Sequence, residues 1–116
     1  MTRITFYYNP RCSKSRLALQ LLRDRGIEPS IVEYLKRPLS EVQIKRLLDM
    51  LGMNPRELMR KKEEEYGALG LDNPELSPSL LIKALAEHPI LMERPIATAG
   101  ERAVLGRPPE RILDIL

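Results

Sequence analysis

Residues 4–35 read ITFYYNPRCSKSRLALQLLRDRGIEPSIVEYL, and this stretch decides the fold. Residues 4–8 are β-branched and aromatic, which is typical of a strand, and Pro10 ends that strand. Apolar residues then recur at helical spacing and predict an amphipathic helix that ends at Gly26. Its apolar positions are Leu17, Ala18, Leu21 and Leu22. Residues 31–35 predict a second strand. A strand, a helix and a strand within about 35 residues form a βαβ unit, so we expect the two strands to be parallel.

The only cysteine of the chain, Cys12, falls in the turn between this strand and this helix. At a helix N-terminus, unpaired backbone N–H groups and the positive end of the helix dipole stabilise a thiolate over a thiol. Arg11, Lys14 and Arg16 add positive charge nearby. We therefore predict a lowered thiol pKa and a nucleophile at neutral pH. The alternative is a small buried apolar side chain, which is the role of most lone cysteines.

Two motifs that are absent around Cys12 limit the reactions that it could carry out. Position 15 is Ser15, so there is no C-x-x-C motif and no partner for an internal disulfide. If Cys12 does redox chemistry, the second thiol must come from another molecule. Position 18 is Ala18, so the C-x5-R phosphate loop is absent. With one cysteine and one histidine, His88, we predict no metal site.

Length and composition predict a single domain over residues 1–116, with one modest core. No run of about 18 apolar residues exists, so we expect no membrane association. Met1 and Thr2 lead at once into a strand and do not resemble a signal peptide, which favours a cytoplasmic protein. The formal net charge of +3 is mild and the basic residues are dispersed, so we predict no nucleic-acid partner.

The sequence pattern in the middle of the chain predicts several helices. Residues 40–43, SEVQ, form a capping box that starts a second helix, which ends at Gly52. Its buried face is predicted to carry Val42, Leu47, Leu48 and Leu51. A short helix opens at Asn54 and runs to about residue 61. A polar loop with one helical turn follows to residue 74, and residues 77–88 predict a further helix.

The last segment predicts a β-hairpin and a terminal helix. Residues 95–98 and 102–105 flank an Ala-Gly-Glu turn, and Pro108 begins the helix. The order is then βα, βα, a helical excursion and ββα. This order predicts an α/β, thioredoxin-like fold: a four-stranded mixed sheet with flanking helices and an inserted helical region. In that fold the first βα turn, which holds Cys12, is the reactive end of the sheet.

Three arginines stand out by their local context. Arg94 precedes Pro95 at the start of the third strand, where a proline facing the reactive turn is expected to be cis. Arg107 follows Gly106 at the end of the hairpin, and Arg60 lies late in the short helix. Arginine suits tetrahedral oxyanions because its planar fork gives several charge-assisted hydrogen bonds. The alternative is that each is an exposed surface residue, as most arginines are.

Three separated motifs resemble the glutaredoxin-coupled arsenate reductase family, which is ArsC-like and thioredoxin-folded. They are NPRCSKSR at residues 9–16, ERPI at residues 93–96 and GRPPE at residues 106–110. The resemblance runs nearly end to end and includes RELMRK at residues 56–61 and HPIL at residues 88–91. Three motifs in the same order are far more specific than one cysteine.

The resemblance implies roles for individual residues. Cys12 corresponds to the family's nucleophile. Oxyanion binding is assigned to Arg60, Arg94 and Arg107. A supporting role is assigned to Asn9, Ser15 and Pro95. In such enzymes the thiolate attacks arsenate to give a covalent adduct, glutathione then attacks, arsenic is reduced to the trivalent state, and glutaredoxin clears the mixed disulfide. The implied partners are arsenate or a similar oxyanion, glutathione as co-substrate and glutaredoxin, with no bound cofactor.

The sequence departs from the family at one position, and it is also compatible with two other functions. Some members have histidine where this chain has Tyr8, which cannot carry a positive charge, so thiolate activation must rest on the helix terminus and nearby arginines. The chain could instead be a glutathione-dependent thiol oxidoreductase acting on another substrate. It could also be a protein-interaction module of the same fold that contacts a polymerase or another partner. Three arginines converging on a thiol would favour the arsenate reductase, since an interaction module does not need them.

Overall fold

A computed structural model describes residues 3–116. The expectation that Met1 and Thr2 lead directly into a strand lies outside the described residues. The elements are β1 (Ile4–Tyr7), α1 (Ser13–Asp24), β2 (Ser30–Val32), α2 (Glu41–Leu51), a first 3₁₀ helix (Pro55–Leu58), α3 (Glu64–Ala68), α4 (Pro78–Glu87), a second 3₁₀ helix (Pro89–Leu91), β3 (Ile96–Ala99), β4 (Arg102–Leu105) and a third 3₁₀ helix (Pro109–Ile115).

The elements divide into two compact units. One unit consists of the described residues up to Arg37 together with Arg94–Leu116, and it holds the sheet. The other is Pro38–Glu93, which contains only helical elements and corresponds to the predicted inserted helical region. The α/β, thioredoxin-like prediction with its mixed four-stranded sheet is confirmed, while the prediction of a single domain over residues 1–116 stays a prediction.

The sheet brings four chain segments to one edge. Its order is β2-β1-β3-β4, with β1 parallel to β2 as predicted and the other two pairs antiparallel. Tyr7 at the end of β1 pairs with Val32 and with Ile96, and Ile96 pairs with Leu105. The carboxyl ends of β1, β2 and β4 therefore meet the amino end of β3. The segments that follow or precede these ends lie together at this edge.

Helix α1 covers the sheet through a face that differs from the predicted one. Its buried residues are Ser15, Ala18, Leu19 and Leu22, whereas Leu17 is 47% exposed. The apolar residues at i, i+4 spacing predict a buried stripe that includes Leu17. The helical period of 3.6 instead places positions 15, 18, 19 and 22 on one side. The helix therefore buries the Ser15 hydroxyl near its amino end, beside the Cys12 turn.

The terminal helix is a 3₁₀ helix that completes the core of the sheet unit. Ile112 and Ile115 are buried at a spacing of three residues, which this tighter helix places on one face. The core cluster consists of Phe6, Ala18, Leu19, Leu22, Ala97, Ile112 and Ile115. Arg102 donates a hydrogen bond to the carbonyl oxygen of Ile115 and ties the end of the chain to β4.

The inserted unit is held by capped helices that pack on each other. The predicted capping box of Ser40 and Gln43 is present, and α2 ends at Gly52 with φ of 67°. Helix α2 packs against α4 through a face that includes Ile44, Leu47 and Leu48. The prediction that Val42 is buried is wrong, because Val42 is 79% exposed and lies on the opposite side of the helix.

One arginine of the inserted unit organises the loop that had been predicted to be mostly irregular. Arg56 donates hydrogen bonds to the Tyr66 hydroxyl over 3.0 Å, to the Asn73 carbonyl over 2.9 Å and to the Leu71 carbonyl. These contacts fix residues on both sides of the Gly70 turn. The helical turn predicted in this loop is the five-residue helix α3.

Candidate active site

Two buried polar residues, Asn9 and Ser15, accept the hydrogen bonds that shape the turn carrying Cys12. The Asn9 amide donates to Ser15 Oγ over 3.1 Å, and the Arg11 amide donates to Asn9 Oδ1 over 3.0 Å. The Cys12 amide donates to the Asn9 carbonyl oxygen over 3.0 Å. Asn9 is 3% exposed and Ser15 is fully buried, so the bond between them is shielded from bulk water. Asn9 and Ser15, the two polar residues predicted to support the site, thus hold the turn in shape.

Cys12 is the residue that caps the amino end of α1, where the sequence had placed it. Its carbonyl oxygen accepts the first helical hydrogen bond, from the Arg16 amide over 3.0 Å. The side chain is half-buried. The sulfur makes no capping hydrogen bond, but the backbone amides of Lys14 and Ser15 lie near enough to act on it electrostatically. These are amides of the first helical turn, which have no partner inside the helix.

The Cys12 thiol has a pKa below its ordinary value. Burial of the sulfur is the largest single influence and raises the pKa. The Ser15 amide, the Arg94 guanidinium and the Lys14 amide all stabilise the thiolate, and together their influence on the pKa outweighs that of burial. Activation thus comes from the helix terminus and an arginine. This is the arrangement expected of a chain with tyrosine at position 8.

The lowered pKa predicts how alkylation of Cys12 depends on pH. The rate with iodoacetamide should stay high at neutral pH and fall only when the pH drops through the lowered pKa. The thiolate also stabilises the native state: this contribution is complete above the pKa of the unfolded chain and is lost as pH falls through the native pKa. The chain unfolded in urea is the control. Equal alkylation midpoints for the native and unfolded chains would refute activation by this turn.

Arg94 is a buried cation beside the sulfur. It precedes β3, so it reaches the same sheet edge as Cys12, and its bond to Pro95 is cis as predicted. The residue is 8% exposed, and its Nε and Nη1 atoms have no hydrogen-bond partner within residues 3–116. A buried guanidinium without hydrogen-bond partners raises the free energy of the folded state unless an anion binds to it. The Cys12 thiolate supplies one negative charge, and unpaired N–H groups remain for another ligand.

Arg107 reaches the same edge from the end of β4. Its Nε donates to the Arg94 carbonyl oxygen over 3.2 Å, which links the two arginine segments directly. The Arg107–Pro108 bond is also cis, a feature that the sequence analysis did not predict. The structure therefore brings Cys12, Arg94 and Arg107 to one edge of the sheet.

Arg60 belongs to the inserted unit and has its own local contacts. Its amide donates to the Leu91 carbonyl oxygen over 2.6 Å, beside the bridge between Met59 and Met92. Its Nε donates to Glu63 Oε1 over 3.0 Å, and both side chains are about three-quarters buried. Arg60 lies just after the first 3₁₀ helix rather than within a helix. Its role at the oxyanion stays a prediction from the resemblance.

Gly106 is required by close packing against Pro95. A Cβ atom at this position would lie 2.8 Å from Pro95 Cγ and 3.5 Å from Ile112 Cδ1. The Gly106 amide also donates to the Pro95 carbonyl oxygen over 2.8 Å. The absence of a side chain therefore lets the segment after β4 lie against the segment that carries Arg94.

We expect Gly106→Ala to destabilise the protein by about 1–3 kcal/mol, because the new methyl group displaces the Pro95 ring. Turnover at the Cys12 site should fall as well, since Arg94 precedes that ring. Chemical denaturation and steady-state kinetics measure the two effects. Gly67→Ala is the matched control: it lies in α3 with nothing within 4 Å of the new Cβ, so it should be neutral or stabilising. A Gly106→Ala variant as stable as the Gly67→Ala variant would contradict this packing argument.

Tyr34 is a residue of this region that no sequence motif indicates. Its sequence context predicts a place in the second strand, but β2 ends at Val32 and Tyr34 lies beyond it, at the edge that holds Cys12. The side chain is fully buried, and its hydroxyl has no hydrogen-bond partner in the described part of the chain. The sequence signal that points to it is its position: Tyr34 comes just after a strand that runs parallel to the strand leading into the Cys12 turn.

Two further findings concern residues 3–116. No three His, Cys, Asp or Glu side chains in this range gather closely enough to hold a metal ion. No helix in it combines the length and the apolar character that crossing a membrane would require.

The fold and the site define a thioredoxin-like protein with a single activated cysteine facing a buried arginine. The model of the ArsC family matches residues 7–115, and the chain belongs to that family. An arsenate reductase of Neisseria meningitidis is 46% identical over 117 residues, covering all of both chains. An uncharacterized protein of Escherichia coli, YfgD, is 49% identical over 114 residues, covering 97% of this chain and 96% of its own.

A solved structure supports the same assignment. An arsenate reductase from Vibrio cholerae matches with a TM-score of 0.96 and 46% identity, covering 99% of this chain and 98% of that one. The resemblance to the ArsC family that the three motifs predicted is therefore confirmed.

Proposed function

We propose that this protein reduces arsenate to arsenite, with Cys12 as the nucleophile and with glutathione and glutaredoxin as electron donors. Membership of the ArsC family and the names of the full-length relatives support the activity. One observation on this chain supports the proposal most directly: the buried Arg94 guanidinium has unpaired N–H groups near a thiol whose pKa is lowered. Such a site is built for an anion that approaches a thiolate.

Charge compensation is the main physical task of the site. Arsenate is an anion at neutral pH, present as a mixture of monoanion and dianion, so a thiolate that attacks it meets a second negative charge. Two unit charges about 4 Å apart interact by about 4 kcal/mol at an effective dielectric of 20. Arg94, together with Arg107 and Arg60 in their proposed oxyanion-binding roles, offsets this repulsion and stabilises charge in the transition state.

The electron count explains why external thiols are needed. Reduction of arsenic from the pentavalent to the trivalent state takes two electrons, and two thiols supply them when their sulfurs join in a disulfide. This chain has one cysteine. A second sulfur must come from glutathione, and a thiol of glutaredoxin resolves the resulting mixed disulfide. These donors are kept reduced in the cytoplasm, which we propose as the location.

A coupled assay tests this proposal. The purified protein is mixed with arsenate, glutathione, glutaredoxin and glutathione reductase, and the oxidation of NADPH is followed. Oxidation should depend on arsenate and on the protein, and it should slow strongly when glutaredoxin is omitted. Arsenate-independent oxidation with a disulfide substrate would favour the thiol oxidoreductase. No oxidation with either substrate would favour the interaction module.

A further inference from the structure

The buried hydroxyl of Tyr34 is the strongest feature that the mechanism leaves unexplained. Native proteins pair nearly all buried polar groups, and an orphaned hydroxyl loses the hydrogen bonds that it makes to water in the unfolded chain. Tyr34 is fully buried and its hydroxyl is unpartnered among residues 3–116. Folding alone does not account for a tyrosine here, because phenylalanine would fill the same volume without that loss.

The surroundings of the hydroxyl point to a ligand. The Tyr34 phenol feels the charges of the Arg94 guanidinium and the Cys12 sulfur. The polar side-chain atoms of Arg94 and Asn9 also influence its pKa. The Tyr34 hydroxyl and the Arg94 Nε and Nη1 atoms are thus buried and unpaired. The Arg94 guanidinium is close enough to act electrostatically on both the Tyr34 phenol and the Cys12 thiol. Three unpaired groups around a nucleophile match a ligand that offers several acceptor oxygens around one central atom.

We propose that the Tyr34 hydroxyl donates a hydrogen bond to an oxygen of the oxyanion that Cys12 attacks, and that with Arg94 it makes the site selective for tetrahedral oxyanions. This inference rests on the proposed function. A disulfide substrate carries no oxygen at the reacting sulfur, so it would leave both donors buried and unpaired. Substrates that lack the matching acceptors are rejected by a site with buried donors.

The protonation state of Tyr34 fits a donor role. Burial raises the pKa of its phenol, and this outweighs the opposing influence of the Arg94 guanidinium. The phenol is therefore neutral at neutral pH and keeps its proton for donation. A neutral donor also adds no negative charge beside the thiolate, unlike an aspartate or a glutamate at the same place.

Tyr34→Phe tests the proposal because it removes only the hydroxyl. The readout is the arsenate concentration that half-protects Cys12 from iodoacetamide, which needs no turnover. We expect this concentration to rise about tenfold or more, since a hydrogen bond to a charged ligand is lost. The alkylation rate without arsenate should change less than about twofold, and the melting temperature should not fall, because the hydroxyl has no partner in the ligand-free protein.

Tyr66→Phe is the matched control. The Tyr66 hydroxyl accepts a hydrogen bond from Arg56 over 3.0 Å, so its removal should lower the melting temperature and leave protection by arsenate unchanged. Equal protection in the Tyr34→Phe variant and the wild type would overturn the role of Tyr34 and leave the proposed function standing. Failure of the Tyr34→Phe chain to fold would also overturn it, because the hydroxyl would then have a structural partner. A wild type that arsenate does not protect would overturn both.

Discussion

Replacement of Cys12 by serine is expected to abolish arsenate reduction. The serine hydroxyl keeps nearly the same shape but stays protonated at neutral pH, and it cannot supply an electron to arsenic through a disulfide. We expect a loss on the order of 10³-fold or more in kcat, down to the rate of the donors alone. The coupled assay measures this loss.

The Cys12→Ser variant should remain folded, because the side chain is half-buried and is not part of the core cluster. Its melting temperature and its far-ultraviolet circular dichroism therefore serve as controls. A folded serine variant that retains more than a few per cent of the activity would contradict the assignment of Cys12 as the nucleophile.

Replacement of Arg94 by lysine is expected to have the second largest effect, although it keeps the positive charge. The ammonium group cannot reproduce the planar guanidinium, whose Nε and Nη1 atoms are unpaired and available to an oxyanion. We expect kcat/KM for arsenate to fall by about 10²–10³-fold. The pKa of Cys12 should stay lowered in this variant, because a cation remains near the sulfur, whereas Arg94→Gln should raise it.

Arg23→Lys is the matched control for this substitution. Arg23 pairs with Glu28 over 3.0 Å on an exposed part of α1, and its replacement should change kcat/KM by less than about twofold. An Arg94→Lys variant with the activity of the Arg23→Lys variant would contradict the oxyanion site.

The elements that could be predicted from the sequence are those with strong local signals. The βαβ unit, the capping box at Ser40 and the hairpin around Gly100 follow from strand composition, cap chemistry and turn residues, and the structure contains all three. The reactive turn followed from one cysteine at a helix start. The cis bond at Pro95 followed from its place in the fold.

The features that escaped prediction depend on tertiary packing. Val42 and Leu17 are apolar but exposed, because the face that each helix buries is chosen by its neighbours rather than by composition. The burial of Arg94 could not be inferred from a surface-prone residue type. Tyr34 looked like an ordinary strand residue until the register of β1 and β2 placed it at the edge with Cys12.

Direct measurement of arsenite tests the central claim, that one cysteine reduces arsenate only with external thiols. The protein is incubated with arsenate, and arsenite is separated and quantified with and without glutathione and glutaredoxin. We predict no more than a sub-stoichiometric trace without added thiols and many equivalents per chain with both donors. The absence of arsenite in the complete mixture, or equal formation without glutathione and glutaredoxin, would contradict the account.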